Sequence, residues 1–153
     1  MDDKQRQRVI DELNGFLKGR YMGIRQYERL IERAKDPDVK DLLQRFRDQA
    51  ERGAQTIARR IRELGGKPAD GPGLMGEMQL WMQKLGGAPE DVRDILRDAL
   101  VGENKYGIHF SHKMVAGELD RESKDVVDKV LEEDQKRVDE LRKKLEALTP
   151  AAT

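Results

Sequence analysis

The chain contains two histidines, His109 and His112. A spacing of three lets two imidazoles share one helix face and chelate a metal ion. No Glu-x-x-His pattern includes either, and neither falls on the apolar stripe through Phe110, so they read as surface histidines. There is no cysteine, which removes disulfides, thiolate ligands and thiol nucleophiles. Ser111 and Ser123 sit in no strand-turn-helix elbow, and no glycine-rich loop follows a strand. Carboxylates are too numerous for one acid–base pair to stand out. Glu132, Glu133 and Asp134 form a continuous run, the pattern of a solvated helix face.

More informative are the places where charge interrupts apolar periodicity. Arg20 lies between Leu17 and Ile24, Glu103 between Leu100 and Phe110, and Asp134 with Arg137 between Val130 and Leu141. The matching level of another stripe holds two small residues, Ala50 and Gly53. All six fall about midway along their segments and can form one interior layer. Two guanidinium groups and two carboxylates in that layer sum to zero charge. If the layer is buried, removing one partner costs about 3–5 kcal/mol. Arg20 and Arg137 stand against Glu103 and Asp134, and Arg20 with Glu103 is the pair to test. Glu103→Ala should then destabilise strongly, while Arg20→Leu paired with Glu103→Leu should be mild or stabilising. The alternative is that these side chains snorkel outward from the stripe edges.

Helices must position these residues. Steps of three and four run through Ile10, Leu13, Leu17, Ile24, Tyr27, Ile31 and Ala34, and then through Val39, Leu43, Phe46, Ala50, Gly53, Ile57, Ile61 and Leu64. A third run offers Leu96, Leu100, Phe110 and Met114, and a fourth Val127, Val130, Val138, Leu141, Leu145 and Leu148. Each covers about 26–32 residues, or roughly 40–48 Å at the helical rise. Asp36-Pro37 reads as an N-cap with proline at the first helical position, and Asp120 as the cap of the last helix. No stretch alternates like a strand.

Short links at Lys35-Asp36-Pro37 and near Gly117-Glu118-Leu119-Asp120 make two antiparallel hairpins. The stretch from Gly65 to Pro89 is long enough to travel the length of a bundle. The expected fold is therefore all-α: a four-helix bundle of two hairpins joined by a long crossover that carries a short helix. One domain over 1–149 and a disordered tail over 150–153 complete the expected organisation. Asp36-Pro37-Asp38-Val39-Lys40-Asp41 also lines up with Asp120-Arg121-Glu122-Ser123-Lys124-Asp125, as if one hairpin were duplicated. In the first and third helices that alignment is ambiguous by one residue. Arg20 falls on Glu103 in one register, and Gly23-Ile24 on Gly107-Ile108 in the other.

The crossover helix gathers Met75, Met78, Trp81 and Met82. Capping the bundle is its plainest role. A methionine-rich face also repacks readily against a partner, so homodimerisation or docking of another protein would use these four residues.

Composition narrows the function further. Charged residues make up 39% of 153, against about 25% in ordinary proteins. Lys plus Arg number 30 and Asp plus Glu number 30, a balance that argues against nucleic-acid binding. The arginines of the second helix, from Arg45 to Arg62, are interspersed with acids and favour ion pairs within the helix. No run of 18 apolar residues and no apolar segment after Met1 argue for a cytoplasmic protein with no transmembrane segment.

The Tyr21-Met22-Gly23-Ile24 segment, Leu64-Gly65-Gly66-Lys67-Pro68, and Asp134-Gln135-Lys136-Arg137-Val138-Asp139-Glu140-Leu141 together carry a likeness. With the two-hairpin pattern, the chain resembles the ferritin-like superfamily, and most of all an uncharacterised bacterial branch of unknown function. The resemblance implies a Glu on each of two helices and a Glu-x-x-His on each of the other two, holding two irons or manganeses. Carried over by position, Arg20 stands where the first Glu belongs, and Ala50 and Gly53 replace one Glu-x-x-His. Glu103 is retained, and Asp134 and Arg137 replace the other Glu-x-x-His. The expected function is thus a non-enzymatic ferritin-like structural or interaction module without a cofactor, its metal ligands vestigial. The competing expectation is a dimetal oxidase, peroxidase or iron-handling protein with an atypical ligand set. A third is a bundle packed around a small apolar ligand, in the room left by Ala50 and Gly53.

Overall fold

Caps and apolar stripes set the helices where periodicity places them. Asp2 accepts a bond from Gln5 N–H at 2.7 Å and starts α1, Asp3–Arg33. Asp36 accepts from Asp38 and Val39 N–H, with Pro37 in the first turn, and starts α2, Pro37–Glu63. Asp91 caps α3, Val92–Gly102, by accepting from Arg93 N–H. Asp120 accepts from Ser123 N–H at the start of α4, Arg121–Leu148. These elements come from a computed structural model that describes residues 1–73, 91–104 and 119–148. The fold is an all-α four-helix bundle with no strand among the described residues, and no helix there is long and apolar enough to cross a membrane. The segment expected to form the short crossover helix, with Met75, Met78, Trp81 and Met82, lies outside the described residues, as do Phe110, Met114 and both histidines.

α1 packs mainly on α2, α2 on α4, α4 on α3 and α3 on α1. The chain therefore passes from α2 to α3 between helices on a diagonal. At the end of α2, Gly65 takes a positive φ of 84°, while Gly66 N–H bonds the Ile61 carbonyl at 2.9 Å. A side chain at Gly66 would collide with Ile10 and Ile61. The segment then follows α1: the Asn14 amide donates to the Lys67 carbonyl and accepts from Ala69 N–H, and Gly73 lies beside Lys18.

The apolar core divides into two clusters. One joins Leu13, Phe16, Leu17, Ala54, Ile57, Ile61, Val127 and Val130, among others. The second joins Leu30, Leu43, Phe46, Ile95, Leu96, Ala99 and Leu141, with Tyr27 set edge-on to Phe46. Along α2 and α4 the change from one cluster to the next falls near the middle of the helix, and along α1 it falls between Ile24 and Tyr27, just past Arg20.

Candidate functional site

The site is built on three helices. Arg20 extends from α1, Asp134 and Arg137 from α4, and Glu103 from the end of α3, where the backbone widens into π-type turns at Glu103 and Asn104. All four side chains are buried: Asp134 is 0% exposed, Arg137 2%, Arg20 5% and Glu103 6%. They do not snorkel.

Arg20 grips Asp134 with both terminal nitrogens at 2.5 Å, a bidentate pair that crosses the bundle from α1 to α4. Arg137 Nη2 also donates to Asp134 Oδ1, and Arg137 Nε donates to Glu103 Oε1 at 2.7 Å. Tyr27 closes the chain of bonds, its hydroxyl donating to the same Glu103 oxygen. The pairing therefore differs from the expected Arg20–Glu103. Arg20 belongs to Asp134, and Arg137 bridges both carboxylates. The reason is reach: Asp134 and Arg137 lie one turn apart on α4, so Arg137 spans its own helix and the tip of α3 together.

Burial alone would drive the Arg20 guanidinium toward its neutral form, but Asp134 beside it outweighs that and raises its proton affinity. Arg137 behaves in the same way toward Glu103 and Asp134. Burial, reinforced by the Glu103 charge, pushes the Tyr27 phenol well above its ordinary value, so it stays a donor at neutral pH.

Of the two small residues, only Ala50 lies at this layer. It lines a small cavity with Gly19, Arg20, Tyr27, Glu103 and Arg137. Gly53 instead lies half-buried on the outer groove between α2 and α4, where an added Cβ would rest 3.4 Å from Val130.

A pair of irons or manganeses needs several anionic or imidazole donors free to bind them. The described residues here supply two carboxylates, both engaged by guanidinium groups, and no three acidic or histidine side chains among the described residues are placed together to hold a metal ion. A cation in this layer would face Arg20 and Arg137 directly. The donor set does not fit a dimetal centre. His109 and His112 lie outside the described residues.

Sequence reasoning passed over two contributors. Tyr27 reads as one more apolar step of the α1 stripe, yet a buried tyrosine hydroxyl needs a partner, and Glu103 is within reach. Arg60 reads as surface charge. It is buried, and its Nε donates to Ser123 Oγ at 2.9 Å while Nη2 meets Asp120 Oδ2 at 2.8 Å. Burial pushes the Asp120 carboxyl up, but the bonds from Ser123 and Arg60 outweigh it and hold it below the usual range. This second polar cluster ties the end of α2 to the cap of α4.

No curated protein and no solved structure matches the chain. A family match does exist over residues 8–114, which takes in Arg20, Ala50, Gly53 and Glu103 but stops short of Asp134 and Arg137. The chain belongs to the family described as a domain of unknown function, DUF2383.

Proposed function

We propose that this chain is a ferritin-like bundle whose central metal site has been replaced by a structural layer of ion pairs, and that it acts as a structural or protein-interaction module. The observation that carries the reading is the Arg20–Asp134–Arg137–Glu103 network. Four of the positions where the ferritin-like pattern puts metal ligands are joined to one another with zero net charge. Ferritin-like descent is supported by the diagonal connection from α2 to α3, which a simple up-down-up-down bundle lacks. A partner or a second copy of the chain would dock through the crossover helix, with Met75, Met78, Trp81 and Met82 as the apolar contacts.

Elemental analysis of the purified chain, before and after incubation with iron or manganese, tests this reading. The expected result is metal well below one ion per chain under both conditions. Retention of about two ions per chain after exchange into metal-free buffer would overturn it in favour of a dimetal centre.

A further inference from the structure

The ion-pair layer leaves two buried donors unused. Arg20 Nε and Arg137 Nη1 have no hydrogen-bond partner among the described residues, although both side chains are at least nine-tenths buried. Such groups carry the full cost of desolvation unless something accepts from them. Both arginines line the cavity that also touches Gly19, Tyr27, Ala50 and Glu103. It offers about 10 Å³ of room for the centre of a water molecule. One water needs roughly 10–15 Å³ by that measure, together with two to four polar partners.

We infer that this cavity is a binding site for a single water molecule, which accepts from the unused arginine nitrogens and completes the layer. Three properties of the site select that guest. The free groups are N–H donors, so the guest accepts hydrogen bonds, and a cation is repelled. The four charged residues already sum to zero, so an anion would bring an uncompensated buried charge. The room admits one water-sized body and no organic ligand. Water also donates, and Glu103, whose described bonds all fall on Oε1, supplies a carboxylate oxygen to receive it. Ala50 is the residue that keeps the space open, because a larger side chain there would enter it.

This inference rests on the reading of the layer as a metal-free structural centre, and its test separates the two. Crystals of the full chain grown in bromide are examined for ordered density at the cavity, and for anomalous scattering at the bromine, iron and manganese edges. The expected result is one light-atom peak within hydrogen-bonding distance of Arg20 Nε and Arg137 Nη1, with no anomalous signal. A bromine signal, or no peak at all, overturns the water site and leaves the structural layer standing. An iron or manganese signal overturns both. In solution, oxygen-17 relaxation should detect one long-lived water per chain that is lost in Arg137→Lys, which keeps the charge but has no Nη1, and in Ala50→Val. Retention of that water in a folded Arg137→Lys protein contradicts the assignment.

Discussion

Two arginine–carboxylate pairs in this molecule share nearly the same geometry and differ in surroundings. Arg20 and Asp134 meet at 2.5 Å in the middle of the bundle, 5% and 0% exposed. Arg45 and Glu140 also approach to 2.5 Å, linking α2 to α4 with two bonds, but at 50% and 36% exposure. In water the second pair loses most of its Coulomb energy to screening, and its long side chains give up rotamer entropy to hold one pose. In the interior the first pair interacts strongly but has already lost its hydration. Bond length is therefore a poor guide to what a pair does. The outer pair adds little whether present or absent. The inner pair adds little as a unit, yet neither half can be removed alone.

The largest effect should come from breaking the inner network at its bridging residue. Among the described residues, Arg137→Leu leaves Glu103 with the Tyr27 hydroxyl alone and removes one of the three bonds to Asp134. Its expected cost is about 3–5 kcal/mol, measured as a lower urea midpoint at unchanged slope. A smaller effect belongs to Tyr27→Phe, which removes one bond to a buried carboxylate, about 1–3 kcal/mol at neutral pH. The same variant carries a pH signature. Burial first, and Glu103 second, raise the folded phenol above 10.0, whereas in the unfolded chain it ionises near that value. The folded state therefore binds the proton more tightly, and the stability this supplies is full below about pH 10 and lost as pH rises beyond it. Stability should fall more steeply above pH 10 in the wild type than in Tyr27→Phe. Equal slopes would place the phenol outside the network. The smallest effect belongs to the outer pair: Arg45→Ala should change stability by about 0–1 kcal/mol, and by less as salt is added. A cost as large as that of Arg137→Leu would erase the distinction between the two regions.

The fold was legible because its determinants are local and repeated. Apolar steps of three and four, Asp36-Pro37, and the glycines after Leu64 each act within one helix or at its end. The four charged positions were legible as interruptions of those stripes, along with Ala50. Their pairing was not. A stripe places a residue on a helix face, but its partner depends on how far each side chain reaches across the bundle, and Arg137 reaches further than spacing suggests. Gly53 was assigned to the layer by its spacing from Ala50, yet that step carries it around α2 to the outer groove. The wider turn at Glu103 and Asn104 accommodates one extra residue. Tyr27 and Arg60 were missed for a common reason: in a sequence, an amphipathic side chain gives no sign of which of its ends is buried.

The most direct measurement is a double-mutant cycle on the inner pair, by urea unfolding of wild type, Arg20→Met, Asp134→Leu and the double variant. The buried-layer account predicts that each single change costs about 3–5 kcal/mol. It also predicts that the double variant, in which Arg137 keeps Glu103 but loses Asp134 as the acceptor for its Nη2, falls only about 1–3 kcal/mol below wild type, far short of the sum of the two singles. Losses in the double variant equal to the sum of the two singles, or single variants as stable as wild type, would contradict it.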